Sequence, residues 1–493
     1  MLKIGFGKAD LTLAGIFDDP VLENQVQDSE EKFQREEKFS ISDRVEGMWR
    51  PGSGGTRRLV DSIFVTAMYG EDKNGPWTIV ALDEVTIDYS VVDLLMQPLI
   101  NELGIPKERI VLLPSHSHAT PPLDPSVFPQ VVLEAVKHAR AGMAEVETGS
   151  LDLMLDGKKY LINRRVHVEG IGTRTVMFND GCLVHDDYLD ATGHIRNWVE
   201  NLGVDPEKFF ERGRQYIADG EVDSRLQTLF IRNRKTGEMM GSFTRFAAHA
   251  VIVSSKVVNG DVSADYPGHL KRKLEEQIGG IALFGQGPSG DQRPLNREYS
   301  HAFAKAYGDR LADEIIQGFA NLEWQPLTRL EFFTEPVPVP LIDHIFLSLE
   351  EVEAEMMGVE RLFDAETNPE ERRKLQNKFW GLYRTPWVHR MVRPEWKEQG
   401  RLGLNLYALR LNDQVLLATQ GEIFHETGKQ MVEPYQEYHP VLVTIANEYV
   451  SYLPTDEERV KGGYEASVSI MTPGSPDLLI QSAHRLLARI YGK

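Results

Sequence analysis

The sequence predicts an α/β protein, a layered mixed sheet flanked by helices, running as one domain across residues 1–493. Three observations lead there. Short apolar runs rich in β-branched residues alternate with segments of helical periodicity almost from end to end, as βαβ units require. No Pro/Gly/Ser-rich linker, low-complexity stretch or fixed-period repeat divides them, which sets aside the three domains that ~150 residues per domain would suggest. The composition, 41% hydrophobic and 26% charged, is that of a globular chain with a large core.

The elements follow in order. Trp77–Asp83 (WTIVALD) reads as a strand, Val91–Leu103 as a helix and Ile110–Leu113 as the next strand, giving a βαβ unit. Val127–Ala141 carries helical spacing, and Leu226–Arg232 with Met240–Ala247 form a hairpin around Lys235-Thr-Gly237. A helix at Tyr266–Gln277 leads into a strand at Ile281–Phe284, and Tyr299–Leu322 makes a long amphipathic helix. Strands near Leu404–Leu411, Gln414–Thr419 and Pro440–Ile445 precede a closing helix over Asp477–Ile490. Two stretches read as insertions: the polar Gly181–Asp219 and the highly charged Leu347–Asn377, expected as a solvated helical arm.

Charge and cysteine usage narrow the partners. With 54 basic and 74 acidic residues the formal charge is -20, which repels phosphate backbones and anionic membrane surfaces, so nucleic acid is excluded and a small-molecule substrate is favoured. Cys182 is the single cysteine; it excludes an intrachain disulfide and a thiolate-rich zinc cluster. The N-terminus lacks an apolar segment with a small-residue cleavage site, and no apolar run reaches about 18 residues, so a cytoplasmic chain without integral membrane contact is expected. A homo-oligomer is left open.

Chemistry concentrates at strand ends, where α/β sheets place their functional crevices. His116 and His118 follow the apolar strand at Ile110. Neutral imidazole suits zinc, but residues at i and i+2 of an extended segment share a face about 7 Å apart and do not easily hold one ion together. His249 ends a second strand, Glu422 follows a third through Gln420-Gly421, and Tyr449 and Tyr452 follow a fourth. Singly, each has a bland role: a core histidine bonded to a carbonyl, a carboxylate at a helix N-terminus, packed aromatics. Four strand ends each delivering a zinc-capable residue is a coincidence those roles leave unexplained.

The order of motifs resembles the neutral/alkaline non-lysosomal ceramidases, zinc amidases that cleave the amide of N-acylsphingosine. The resembling segments run from Gly5-Phe-Gly-Lys-Ala-Asp-Leu-Thr through Ser115-His-Ser-His118, Ile162-Asn-Arg164, Ala248-His249, Ser263-Ala-Asp-Tyr-Pro-Gly268 and Gly421-Glu422. They continue with Asn447-x-Tyr-x-x-Tyr452, Thr455-x-Glu-Glu458 and Tyr464-Glu-Ala. The resemblance implies zinc held by His116, His249, Glu422 and Tyr452. It places His118, Arg164 and Tyr464 around the reacting amide with Asn163 beside the substrate. Tyr452 is alternatively an oxyanion donor, and Asp291 either orients a ligand histidine or caps a turn. The implied reaction is attack on an N-acyl carbonyl by metal-activated water, with His118 as proton acceptor and Arg164 and Tyr464 stabilising the oxyanion.

Two departures bear on the substrate. Gly290-Asp-Gln-Arg-Pro294 stands where the family has Gly-Asp-x-Ser-Pro, so Arg293 replaces its active-site serine. The planar guanidinium suits carboxylate recognition, which points to a small acyl amide or ester bearing an anionic group; a surface or structural ion pair is the alternative. The second departure is that nothing after the closing helix corresponds to the family's immunoglobulin-like C-terminal domain. Competing functions are a zinc hydrolase of an ester, lactone or carbohydrate derivative, and a non-catalytic metal-binding member of the fold.

Overall fold

In the computed structural model, residues 2–14, 59–121, 123–168, 172–175, 220–253, 261–295 and 300–493 are described. Cys182 and the insertion expected at Gly181–Asp219 lie outside them.

Two sheets stack face to face. In the larger, the strands lie side by side in the order Ile281–Gln286, Met239–Phe246, Arg225–Asn233, Ala144–Met154, Lys3–Asp10, Phe64–Asp72, Gly75–Leu82 and Ile110–Pro114. Pairing is mixed: the outermost pair at each end is parallel, and the pairs between are antiparallel. The smaller sheet runs Leu330–Pro340, Arg401–Leu411, Gln414–Thr419 and Val441–Val443, its last pair parallel. Ile4, Met68, Ile79 and Val111 from the first sheet share a core with Phe332, Leu409, Leu416 and Val443 from the second. Alternation of side chains across a strand turns the opposite faces outward, where helices cover them.

On the outer face of the larger sheet, Val65, Val80 and Leu112 meet Leu95 and Leu99 of helix Tyr89–Leu103 and Val132 and Val136 of helix Phe128–Ala141. Gly5 and Gly7 let the second helix approach the strand backbone. A Cβ at these positions would fall 1.9 Å and 2.0 Å from the carbonyl oxygens of Ala139 and Ala135. Helices Asp265–Gln277 and His301–Phe319 cover the other end of the sheet. Helix Ser475–Tyr491 closes the outer face of the smaller sheet through Leu479, Ala483 and Leu486. The predicted layered mixed α/β architecture is present, with two stacked sheets forming its middle.

The larger sheet curls until its edge strands Ile281–Gln286 and Ile110–Pro114 meet. The segment after Val441–Val443 stitches them. Thr444 donates its backbone N–H to the Gln286 carbonyl at 2.7 Å, while Asn447 donates to the Leu112 carbonyl at 2.7 Å and accepts the Leu112 N–H on Oδ1 at 2.8 Å. Ile445, Asn447 and Ser451 adopt φ of 60°, 55° and 67° to make these turns.

The charged segment forms a helical hairpin, Leu349–Ala365 and Pro369–Val388, with a small apolar core around Val352, Val359 and Leu382. Its outer side is exposed, but its second helix continues past Asn377 and packs against helix Tyr464–Val468.

Candidate metal centre

His116 leaves strand Ile110–Pro114 at φ 66°, a left-handed conformation that histidine adopts more readily than most residues. Its backbone N–H donates to the Glu84 carbonyl at 2.9 Å and its ring Nδ1 donates to the Val85 carbonyl at 2.8 Å. His249, just past strand Met239–Phe246, donates Nδ1 to the Ser289 carbonyl at 2.7 Å. A carbonyl oxygen can only accept, so Nδ1 carries a proton in each ring, and in the neutral form each Nε2 presents a lone pair.

Those two lone pairs face a carboxylate. Glu422 Oε2 lies 3.3 Å from His116 Nε2 and 2.8 Å from His249 Nε2, and all three residues are buried. The ligand atoms lie within 4.8 Å of one another, the group of this kind found among the described residues. His116 Nε2 and Glu422 Oε2 are enclosed with no hydrogen-bond donor. Burial, with Arg164 and His116 nearby, pushes the His249 imidazole down to about 3 against the pull of Glu422, so it is neutral at pH 7. Three acceptors converging without a proton between them suit a divalent cation, whose charge offsets their repulsion.

Short-range pairing aims the carboxylate. Glu422–Ile423 and Tyr452–Leu453 form a parallel two-residue ladder that puts Glu422 opposite Tyr452. Tyr449 donates its hydroxyl to Glu422 Oε1 at 2.6 Å, leaving Oε2 for the histidines. The Tyr452 hydroxyl stands 3.4 Å from His249 Nε2 and accepts from Arg164 Nη2 at 3.1 Å. Arg164 is itself held by Glu465, through Nε to Oε1 at 3.0 Å, and by the Gly290 carbonyl at 2.8 Å. Tyr464 packs its ring edge-on against Tyr452, with centroids 5.6 Å apart.

His118 is adjacent to this group. The left-handed turn at His116 sets the two rings edge to face at 4.7 Å, instead of side by side on an extended strand. Its Nδ1 donates to the His116 carbonyl at 2.9 Å, leaving Nε2 as an acceptor on a half-buried ring. Burial, His116 and His249 hold its imidazole well below the ordinary value.

Asp291 bonds His425, accepting from its backbone N–H at 2.8 Å and from Nδ1 at 2.5 Å, and it also accepts from Asn163 Nδ2 at 3.2 Å. It therefore orients a histidine outside the three-residue group. Asn163 Nδ2 also donates to the Glu221 carbonyl, and its Oδ1 accepts the Arg165 N–H, so its polar atoms are engaged within the chain. Arg293 is fully enclosed in the short ladder that pairs Gln292–Pro294 with Leu161–Asn163. Tyr449, Glu465 and the Ser289 carbonyl are positioning partners that the sequence reading did not assign. Glu465 was signalled by its place beside Tyr464 in the Tyr464-Glu-Ala motif, whereas a backbone carbonyl leaves no trace in side-chain identity.

No family model and no curated protein sequence matches the chain. Solved structures do. The crystal structure of neutral ceramidase from Pseudomonas aeruginosa aligns with a TM-score of 0.59 at 15% identity, covering 99% of this chain and 75% of that one. A structure described as ceramidase complexed with C2 aligns with the same score, identity and coverage. The fold of this chain is that of the neutral ceramidases.

Proposed function

We propose that the protein is a zinc-dependent hydrolase of an N-acyl amide. The observation that carries this reading is the convergence of two buried Nε2 atoms and one buried carboxylate oxygen, with His116 Nε2 and Glu422 Oε2 lacking any donor, in a fold shared with ceramidases. His116, His249 and Glu422 would hold the ion, with the Tyr452 hydroxyl beside them. A zinc ion so held supplies Lewis acidity and lowers the pKa of bound water from 15.7 to about 7.

The chain's own groups do the rest. His118, with Nδ1 committed to the His116 carbonyl, offers Nε2 as acceptor for the proton released when water oxygen bonds the carbonyl carbon. It returns that proton to the amine nitrogen as the C–N bond breaks, a role typically worth ~10²- to 10⁴-fold in rate. Arg164, fixed by Glu465, orients the Tyr452 hydroxyl, and with Tyr464 these groups stabilise the oxyanion; removing one such donor costs about 3–4 kcal/mol in transition-state stabilisation. Asn163, Asp291 and Arg293 act as positioning residues. They lock the Gly287–Pro294 loop, whose Ser289 and Gly290 carbonyls fix His249 and Arg164.

The test is metal content alongside turnover. Purified protein is expected to bind roughly one zinc per chain, to hydrolyse N-acyl amines in a chelator-sensitive way, and to lose both properties in H116A and in H249A. A parallel panel of esters, lactones and glycosides distinguishes amide cleavage from the other carbonyl and acetal chemistries. Turnover persisting in the metal-free protein would refute the reading, and stoichiometric zinc with no hydrolysis of any compound would identify a non-catalytic metal-binding protein.

A further inference from the structure

A cavity of about 490 Å³ lies between the charged helical hairpin and the segment Arg459–Ser469. Its wall includes Lys378, Arg384, Arg459, Lys461 and Tyr464, and among the described residues no carboxylate lines it. On a chain of formal charge -20, such a lining is opposite in sign to the molecule as a whole. Its size is within the ~300–1,000 Å³ of small-molecule sites.

Its four cations are not equivalent. Lys378 is neutralised by Glu355 at 2.6 Å, and Lys461 by Glu457 and Glu458 at 2.9 Å and 2.7 Å. Among the described residues neither Arg384 nor Arg459 forms a contact ion pair with a carboxylate, although Asp456 acts on Arg459 through space, and the Nε atom of each is enclosed without an acceptor. Arg459 donates from Nη2 to the Ser469 hydroxyl at 3.2 Å, while Arg384 lies over the Tyr464 ring at 5.5 Å. A buried guanidinium N–H without an acceptor is costly, and a bidentate oxyanion satisfies it.

Tyr464 joins this cavity to the metal centre. One side of its ring lines the cavity, and it packs against Tyr452, whose hydroxyl is beside His249. We propose that the cavity is the recognition subsite for an anionic group, carboxylate or phosphate, on the substrate, bound by Arg384 and Arg459 while the scissile amide lies past Tyr464 at His116, His249 and Glu422. This rests on the hydrolase reading for the amide but not for the binding itself. It assigns charge recognition to the helical hairpin and leaves Arg293, enclosed in its ladder, a structural place.

The test measures binding and turnover separately. N-hexanoylglycine is compared with N-hexanoylglycinamide, and phosphorylated with unphosphorylated N-hexanoylethanolamine. Binding to the full-length, chelator-treated chain is followed by calorimetry, and hydrolysis by the zinc-loaded chain is assayed in parallel. At least one anionic compound is expected to bind ten-fold or more tightly than its neutral partner, and which pair shows it identifies the oxyanion. That ratio is expected to fall towards one in R459Q and in R384Q, with partial recovery in R459K. Equal binding of both members of both pairs by the wild-type chain overturns the proposal, even if the variants fail to fold; so does an anion preference that survives in folded R459Q and R384Q. Selective binding without hydrolysis would refute the hydrolase reading and leave the subsite standing, whereas hydrolysis without charge preference would do the reverse.

Discussion

The Tyr449 hydroxyl, 2.6 Å from Glu422 Oε1, fixes one carboxylate oxygen and leaves the other facing His116 and His249. Groups that orient a ligand typically contribute 10- to 100-fold in metal affinity. Y449F is therefore expected to weaken zinc binding by ~10- to 100-fold in a competitive chelator titration, with little change in thermal stability of the metal-free form; unchanged affinity would show that the ladder alone aims Glu422. Asp265 supplies a different residue-scale test. Burial, assisted by Asp61, outweighs its backbone hydrogen bonds and pushes its carboxyl from 3.8 up to about 7. Between those values the folded chain binds the proton more tightly than the unfolded chain, so this residue's contribution to stability falls as pH rises from about 4 to 7. D265N is expected to flatten that part of the melting-temperature profile, and an unaltered slope would assign it to other groups.

At the scale of elements, the strands and helices with strong periodicity were legible: the βαβ unit from Trp77 to Leu113 and helix Ser475–Tyr491 lie close to where the pattern puts them. Strand Leu330–Pro340 was not, because Pro336, Pro338 and Pro340 argue against a sheet. It is an edge strand whose prolines are exposed while Val337 and Val339 between them are buried, so the missing N–H groups break no ladder. The separate strand-end residues were readable, but their convergence was not, because it depends on sheet curling and on the Thr444–Ser451 turns. Asn447 is the critical side chain there, accepting from Leu112 N–H and donating to Tyr407 Oη at 2.8 Å. N447A would leave buried partners unsatisfied, at ~1–3 kcal/mol each, and denaturant unfolding is expected to register at least that loss. In G7A, a Cβ would collide with the carbonyl of Ala135, forcing apart strand Lys3–Asp10 and helix Phe128–Ala141. Overpacking of this sort costs ~1–3 kcal/mol; a melting temperature equal to wild type would contradict the close approach.

For the whole molecule, the stacked sheets and their covering helices hold a centre whose parts come from widely separated stretches of sequence. Among the described residues, no helix is long and apolar enough to cross a membrane. A ligand that binds only the folded chain stabilises it by about 2.7 kcal/mol at 100 times its dissociation constant. Zinc is thus expected to raise the unfolding midpoint of chelator-treated protein, with H249A abolishing the rise; no shift at saturating zinc would speak against a preformed centre. The separation in sequence also constrains biosynthesis. During translation His116 and His249 leave the ribosome long before Glu422, Tyr449 and Tyr452, and two imidazoles alone make a weak, unselective chelate. If the centre holds a metal as proposed, loading would wait until Glu422 has been synthesised, and a nascent chain stalled before it would exchange its ion freely with the cell's pool.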